Sequence, residues 1–383
     1  MSTLLSFSLT VLLIASNVFG HPGHDVSKEA GERAEFFKGN PKTLRACSDK
    51  LRARGHESAN IARRRALAYN LRLEQGLAAK PLLHRRDFAS YNFSHLADGS
   101  AISMDVDEMV LFADNSSCTL QSDVTDGPYY VNGELIRQNI VDGQDGIPLI
   151  LDIQITDTSS CEPIPALYID IWHCNSTGVY SGVVANGNGD SSDASNIDQT
   201  FLRGIQQTNS DGVVQFNTTF PGHYTGRATH IHVLTHQPNS TTTRVNRTLL
   251  GNLNDTVHAS HVGQLFFDQD LILEVDTLAP YNTNTGHLTL NSEDDILASE
   301  ADTTDPFVEY VVLGDQLEDG ILAWISIGID PTEDREISTA AAFYKGGGVA
   351  NENGNTMGSS PNGTEGGPVI PSGGPIPSSS ASS

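Results

Sequence analysis

The stretch PGHYTGRATHIHVLTH, from Pro221 to His236, holds the residues whose types and spacing are best suited to chemistry. Within it, His230 and His232 are separated by a single residue. On a β-strand, residues i and i+2 point to the same side and lie about 6–7 Å apart along the backbone. The two imidazoles can therefore face one metal ion. A His-x-His pair on a strand also occurs as an ordinary surface pair, so a metal site needs further ligands elsewhere in the chain.

Two tyrosines are candidates for those ligands. Tyr224 lies in a Pro-Gly turn just before the histidine pair, and Tyr180 lies in a glycine-containing loop after the apolar run ALYIDIW. Phenolates are hard, anionic ligands that suit ferric iron, which lowers the pKa of a phenol enough to keep it ionised at neutral pH. Two phenolates leave one residual positive charge on Fe(III). Such a donor set differs from the two histidines and one carboxylate of ferrous oxygenases.

The elements that must position these side chains are short strands. Apolar runs bounded by turn residues recur from about Cys118 to Asp330, and this pattern favours strands over helices. The clearest runs are GIPLILDIQITDT, ALYIDIWH, SDGVVQFNTTF, THIHVLTH, GQLFFD, FVEYVVLG and ILAWISIGI. With 383 residues and 38% hydrophobic content, the chain can build one sizeable core. We predict a mainly β fold, with a β-sandwich or barrel-like catalytic domain over residues 87–340.

The two ends of the chain differ from this body in composition. Residues 21–86 are basic and rich in helix formers, which predicts two or three helices. Residues 341–383 are rich in Gly, Ser and Pro, which predicts a disordered tail. The dibasic pair Arg85-Arg86 leaves two interpretations of the N-terminal segment open. It is either a pro-segment removed at this pair or a helical arm that stays packed on the acidic body.

The sequence predicts a secreted protein. Residues 1–20 have the apolar run and small residues of a secretory signal peptide. No other stretch approaches the length of about 18 apolar residues that a membrane-spanning helix requires. Eight Asn-x-Ser/Thr sequons are consistent with passage through a glycosylating pathway: Asn92, Asn115, Asn175, Asn217, Asn239, Asn246, Asn254 and Asn362.

Cysteine content and charge fit an extracellular setting. An even number of cysteines favours disulfides in an oxidising compartment, with three pairings possible among Cys47, Cys118, Cys161 and Cys174. Residues 88–383 carry 7 basic against 39 acidic side chains, a balance of −32. Because such a body repels polyanions, nucleic acid and anionic membranes are not expected as partners.

Several of these segments together resemble the intradiol ring-cleavage dioxygenases, most closely their secreted fungal branch. The resemblance covers about Thr125 to Asp330 and is carried by TDGPYYVNGELIRQ, YIDIWHCNSTGVYSG, FLRGIQQTNSDGVVQFNTTFPGHYTGRATHIHV and GQLFFD. The ordered set of G-x-Y, P-G-x-Y, R-x-x-H-x-H and a downstream Gln is far more specific than any one of its parts. It implies an enzyme that uses non-haem Fe(III) and O2 to open catechol-type rings between the two hydroxyl-bearing carbons, which gives muconate-type diacids.

Carried over position by position, the resemblance implies that Tyr180 and His230 are equatorial ligands of the iron, and that Tyr224 and His232 are axial ligands. It also implies that a chelating catecholate displaces Tyr224. The released tyrosinate would then accept a proton.

Two further residues gain a role from the resemblance. Arg227 matches an arginine that stabilises negative charge developing on the substrate, a task that suits an always-charged guanidinium. Gln264 matches a glutamine that hydrogen-bonds in the same pocket. The family's common Arg-Pro-Ala-His is replaced here by Arg227-Ala228-Thr229-His230, so this loop lacks the stiffness of proline.

Two other interpretations fit parts of the sequence. TNSDGVVQFNTTFPGHY also resembles non-catalytic β-sandwich modules of the carboxypeptidase-regulatory and transthyretin-like kind, which do not need the tyrosines, arginine and histidines described above. Signal cleavage after Gly20 would also expose His21, which could bind copper together with its own amine.

The other side chains of interest have ordinary interpretations. His173, His223 and His236 are predicted to be polar loop or strand residues, and Trp172 and Phe201 to be core residues. Among possible substrates, catechol, hydroxyquinol and lignin-derived diols stay open, because the residues that line the pocket lie on loops.

Overall fold

The computed structural model describes residues 44–77, 112, 117–119, 129–250, 252–253, 256–301 and 304–351. The predicted signal peptide and the Arg85-Arg86 pair lie outside these ranges. The helices are α1 (Ser48–Ala53), α2 (His56–Glu74), α3 (Gln269–Asp276) and α4 (Asp295–Ala301). The strands are β1 (Ser117–Thr119), β2 (Val131–Asn132), β3 (Pro148–Asp157), β4 (Tyr168–Trp172), β5 (Arg203–Gln207), β6 (Val213–Thr219), β7 (His230–His236), β8 (Thr242–Thr243), β9 (Leu249–Leu250), β10 (Asn252–Leu253), β11 (Thr256–Ala259), β12 (His261–Phe266), β13 (Glu309–Val312), β14 (Ile321–Ile329), β15 (Arg335–Ile337), β16 (Ala341–Tyr344) and β17 (Gly347–Ala350).

Two sheets form a sandwich around the main core. The first sheet has the strand order β1-β14-β3-β6, with β13 also paired to β14, and the second has the order β12-β7-β4-β5. Apolar side chains from both sheets share one buried cluster, which places the core between them. All seven apolar runs predicted as strands form strands, namely β3, β4, β6, β7, β12, β13 and β14. The prediction of a mainly β, sandwich-like fold is therefore confirmed.

The alternation of side chains along β7 separates the core from the candidate chemistry. Ile231 and Val233 point inward and belong to the cluster between the sheets. His230, His232 and His236 therefore point to the opposite face, since neighbouring residues of a strand face opposite sides. All of β7 is nonetheless buried, so loops must cover this outer face.

Helix α2 covers the outer face of the first sheet. Ile61 and Ala68 of the helix are buried in one cluster with Leu322 and Trp324 of β14. Burying this apolar surface is the main favourable term in docking the helix. Within the described part of the chain, no helix is long and apolar enough to span a membrane.

Cations of helix α2 neutralise a buried carboxylate of the sheet. Asp152 of β3 is completely buried and accepts two hydrogen bonds from Arg63, at 2.7 and 3.1 Å. The neighbouring Arg64 lies 3.9 Å from the same carboxylate, and its guanidinium lies 5.3 Å from the centroid of the Trp324 ring. Because a lone buried carboxylate costs several kcal/mol, the sheet requires the helix to supply positive charge.

A disulfide ties the same segment to the body. Cys47 is bonded to Cys161, which lies 114 residues further along the chain. Residues 44–77 thus pack on the body and are linked to it covalently, as the interpretation of a retained helical arm requires. Cleavage at Arg85-Arg86 stays a prediction.

Two predictions need correction. The residues assigned to the tail from 341 onward include the hairpin β16–β17, so an ordered structure extends to residue 351. This hairpin is held because β16 pairs with β2 and Arg244 donates a 2.8 Å hydrogen bond to the carbonyl of Phe343. The expectation that the cysteines form disulfides is wrong for Cys174, a buried free thiol that donates to the carbonyl of Gly222 at 3.3 Å.

His173 joins the two sheets where β4 ends. It is fully buried, with Nδ1 2.8 Å from the carbonyl oxygen of Cys174 and Nε2 2.7 Å from the hydroxyl of Thr218 on β6. A neutral imidazole that donates from Nδ1 and accepts at Nε2 satisfies both contacts. Burial, together with the positive charge of Arg203, lowers the pKa of His173 to about 4.

The disulfide leads to a prediction about processing. If the chain is cut after Arg86, the two pieces should stay covalently linked, because the disulfide joins Cys47 before the cut to Cys161 after it. Electrophoresis of the secreted or protease-nicked protein should show one band without reductant and two with it. Release of the N-terminal piece without reduction would contradict this arrangement.

The buried imidazole leads to a prediction about acid stability. Because the folded pKa of His173 is depressed, the unfolded chain takes up a proton first, so stability should fall as the pH drops from 6.5 to about 4. A single such group changes the free energy of unfolding by up to about 1.4 kcal/mol per pH unit. His173→Gln should remove this part of the slope in urea unfolding measured across that range. An unchanged slope would show that His173 titrates normally in the folded protein.

Candidate metal centre

The structure brings the four predicted ligands together on the outer face of the second sheet. His230 and His232 lie at the beginning of β7. Tyr224 comes from the turn that precedes β7, and Tyr180 comes from the loop that follows β4. The sequence places Tyr180 and His230 50 residues apart, and the sandwich returns the chain to the same point.

The four donor atoms converge closely. The Oη atom of Tyr180 lies 3.5 Å from the Oη of Tyr224 and 3.5 Å from the Nε2 of His230. The Oη of Tyr224 lies 3.3 Å from the same Nε2, and the Nε2 atoms of His230 and His232 are 3.0 Å apart. All four side chains therefore point at one small volume.

These separations fit donors around a single metal ion. Bonds of about 2.1 Å, typical of a metal–imidazole contact, place two donors about 3.0 Å apart at 90° and about 3.4 Å apart at a tetrahedral angle. Within the described residues, no group of three or more His, Cys, Asp or Glu side chains is placed to hold a metal. Two phenols and two imidazoles are thus the donor set that this face offers.

The hydrogen bonding of His230 prepares it as a ligand. Its Nδ1 lies 2.6 Å from the backbone carbonyl oxygen of Ala228. Since a carbonyl only accepts, Nδ1 carries the proton and Nε2 presents its lone pair to the centre of the cluster. The Nε2 of His232 lies 3.0 Å from the Nε2 of His230, close enough for both nitrogens to bind one metal ion.

The two phenols need a cation in order to ionise. Burial raises the pKa of Tyr180 well above the ordinary value of a phenol, with a smaller contribution from Cys174. Burial, and then the proximity of Tyr180, raises the pKa of Tyr224 in the same way, while the charge of Arg227 opposes both rises. Two phenolates can exist here only with a strong local positive charge, as a ferric ion would provide.

The register of the second sheet places two further side chains beside His232. Gln264 of β12 and Trp172 of β4 lie directly opposite it on the neighbouring strands. The rings of Trp172 and His232 are stacked, with centroids 4.7 Å apart and planes within 2°. Trp172 is buried, as predicted for a core residue, but it also fixes the plane of a candidate ligand.

Arg227 lies between the centre and a buried acid. Its side chain is completely buried and donates from Nε to Asp294 at 2.9 Å and from Nη2 to the Oε1 of Gln264. The two residues named from the resemblance are therefore in direct contact. Burial alone would raise the pKa of Asp294, but Arg227 and backbone donors outweigh it and hold that pKa below its ordinary value.

Sequence reasoning missed two residues of this region. Asp294 was not predicted at all, although an acid directly before the run DILASEA is a recognisable helix N-cap. Tyr129, within the quoted stretch TDGPYYVNGELIRQ, packs against Tyr180 with tilted rings whose centroids are 4.9 Å apart. Its position beside a candidate ligand places it in the lining of the site.

The other histidines have partners away from the centre. His223 faces Asp276 at 3.1 Å and the carbonyl of Gly286 at 3.2 Å. His236 bonds to the backbone carbonyl of His258 at 2.8 Å. With His173 bridging the sheets, all three are structural polar residues as the sequence predicted, and Phe201 is buried.

Comparisons with known proteins found one family model and several solved structures. A family model described as "Dioxygenase" matches residues 125–298. Among solved structures, an intradiol ring-cleavage dioxygenase from Tetranychus urticae is 28% identical, covers 56% of this chain and 96% of its own, and has a TM-score of 0.44. Hydroxyquinol 1,2-dioxygenase from Pseudomonas putida is 18% identical, covers 56% of this chain and 67% of its own, and has a TM-score of 0.33. Catechol 1,2-dioxygenase from Acinetobacter is 18% identical, covers 55% of this chain and 63% of its own, and has a TM-score of 0.33. No curated protein matches.

The family match confirms the resemblance to the intradiol ring-cleavage dioxygenases for residues 125–298. All six site residues predicted from the sequence lie inside this segment, as do Tyr129 and Asp294. The segment therefore resembles the dioxygenases, which are oxidoreductases, and it lies on a mainly β fold.

A matched pair of variants tests the metal centre. His232 and His236 lie on the same face of β7, and both are buried. His232→Ala should weaken metal binding by at least about 100-fold, beyond what loss of an outer-shell partner costs. His236→Ala should keep its metal. Metal content after dialysis and titration of the apo protein measure both, and equal affinities for the two variants would contradict the assignment.

Proposed function

We propose that this protein is an extracellular, Fe(III)-dependent intradiol dioxygenase that inserts both atoms of O2 into catechol-type diols and yields muconate-type diacids. The observation that supports it most strongly is the convergence of two phenol oxygens and two imidazole nitrogens, each of which lies 3.0–3.5 Å from at least one other. The bound ferric ion would make a coordinated diol susceptible to attack by O2.

Differences in burial suggest which ligand gives way to substrate. Tyr180, His230 and His232 are 1–2% exposed, whereas Tyr224 is only half-buried. A diol arriving from solvent meets Tyr224 first, and the turn that carries Tyr224 can move more readily than a residue inside a strand. The phenolate oxygen of Tyr224, once released, would accept the proton that a diol hydroxyl gives up on binding.

Arg227 supplies fixed positive charge beside the reacting ring. Its guanidinium is buried and held on two sides, so it does not have to reorganise when charge develops. In a site from which water is excluded, such a charge stabilises negative charge on ring and oxygen atoms more strongly than it would in water. Gln264, which accepts a hydrogen bond from Nη2, holds a second nitrogen of the guanidinium in place.

The lining of the site excludes water around the tyrosines. Tyr129, Tyr130, Trp172 and Val183 form one buried cluster with Tyr180. Such a lining suits a flat aromatic ring and keeps competing water away from the reaction.

Secretion is supported by independent features of the chain. The signal-like residues 1–20, the eight sequons and the Cys47–Cys161 disulfide all fit an oxidising, extracellular compartment. The acidic body fits a small diol substrate and does not suit polyanionic partners.

The proposed function makes a spectroscopic prediction. The purified protein should show a visible tyrosinate-to-iron absorption band that shifts when catechol is added without O2. When O2 is then admitted, the protein should consume one O2 for each catechol. Tyr180→Phe should lose most of the band and at least about 100-fold in kcat/KM, the scale typical of losing one key active-site group.

Tyr310→Phe provides the matched control. Tyr310 is also buried, but it lies on β13 of the first sheet and packs in the core between the sheets, whereas the candidate ligands lie on the outer face of the second sheet. It should keep both colour and turnover. Iron-free, colourless wild-type protein that consumes no O2 with catechol would instead favour a non-catalytic β-sandwich module.

A further inference from the structure

We propose that Asp294 is the positioning residue that fixes Arg227 for the reaction. The inference depends on the proposed function, since it assigns Asp294 a role in the same site. Asp294 reaches the site from the beginning of α4, 67 residues after Arg227 in the sequence. Its hydrogen bonds go to Arg227, to the backbone of Ala228 and to the first turn of α4, so we assign it a role that acts through the arginine.

One carboxylate oxygen of Asp294 holds both the side chain and the backbone of the arginine loop. Oδ2 accepts a 2.9 Å hydrogen bond from the Nε of Arg227 and a 2.8 Å hydrogen bond from the backbone N–H of Ala228. The guanidinium and the residue that leads into β7 are therefore fixed to the same atom. Because His230 follows two residues later and bonds back to the Ala228 carbonyl at 2.6 Å, this contact also steadies a candidate ligand.

The other carboxylate oxygen is fixed by the helix. Oδ1 accepts the backbone N–H groups of Ile296 and Leu297, at 2.9 and 3.1 Å. These are N–H groups of the first turn of α4, which have no partner within the helix. With both oxygens occupied, the carboxylate cannot rotate, and so it presents a rigid acceptor to Arg227.

The guanidinium of Arg227 is held at two of its nitrogens. Asp294 occupies the Nε edge and Gln264 the Nη2 atom, so the planar fork cannot turn about its own axis. Both charged side chains are completely buried. A buried, charge-assisted pair of this kind is stable only while both partners are present. Neutralising Asp294 therefore loosens Arg227 where its aim matters most.

The contact also explains how this loop works without proline. A proline at position 228 would have no N–H group, whereas Ala228 has one and donates it to Asp294. This hydrogen bond from the backbone N–H of Ala228 to the carboxylate stiffens the backbone that a proline ring would otherwise stiffen. The residue at position 228 supplies a backbone N–H group, and Asp294 supplies the carboxylate that accepts it.

A double-mutant cycle tests the proposal. Asp294→Asn keeps the shape and the capping oxygen but removes the charge. We expect kcat with catechol to fall about 30-fold, with KM and the anaerobic affinity for catechol changed by less than about threefold, because binding and positioning for reaction are separate. The kcat of the Arg227→Gln variant should be lower still. In the Arg227→Gln background, Asp294→Asn should cost less than about threefold more.

The controls separate positioning from simple stabilisation. Asp157→Asn removes another carboxylate that accepts two backbone N–H groups in a turn, at Ser159 and Ser160, and should leave kcat unchanged. If Asp294→Asn lowers only the melting temperature and turns over normally, or costs the same factor in both backgrounds, Asp294 is merely a helix cap. Wild-type protein without O2 uptake would instead overturn the proposed function and leave the Arg227–Asp294 pairing to be judged separately.

A measurement on the unmodified chain decides the matter if Asp294→Asn does not fold. In the metal-free protein, the Nε–H of Arg227, assigned by its absence in Arg227→Gln, should exchange slowly with solvent because it is buried and bonded. Exchange as fast as that of a surface arginine would overturn the proposal.

Discussion

The structure depends on one electrostatic constraint: the donor atoms of two phenols and two imidazoles, all buried except the half-buried Tyr224, converge so that each lies 3.0–3.5 Å from at least one other. Burial favours neutral phenols, so two phenolates require a strong positive charge at this point. A multivalent cation would supply that charge. The surrounding features either deliver these four side chains to one point or keep water away from it, and Arg227 supplies a second positive charge nearby.

The sandwich positions the ligands because side chains along a strand alternate between its two faces. One face of β7 fills the core between the sheets, and the other face carries His230 and His232. The pairing of β7 with β12 and β4 then places Gln264 and Trp172 beside the second histidine. A shift of one residue in register would exchange the two faces, so the packing of the core also fixes the geometry of the site.

Local patterns in the sequence predicted the strands and the ligands, but they could not predict the long-range partners. Alternating apolar residues identify β7, and the P-G-x-Y and H-x-H spacings identify three of the four candidate ligands. The match of Asp294 to Arg227 and of Arg63 to Asp152 joins residues 67 and 89 positions apart, which no local period encodes. The hairpin after residue 340 was missed for a similar reason, because β16 is held by its pairing with the distant β2 and by the hydrogen bond from Arg244.

The most direct test of this account is an anomalous-scattering map from crystals of the iron-loaded protein, recorded on both sides of the iron absorption edge. The account predicts one strong peak at bonding distance from both the phenol oxygens and both the imidazole nitrogens of Tyr180, Tyr224, His230 and His232. A peak elsewhere, such as at His21, or no peak among these four side chains in protein that contains iron, would contradict it.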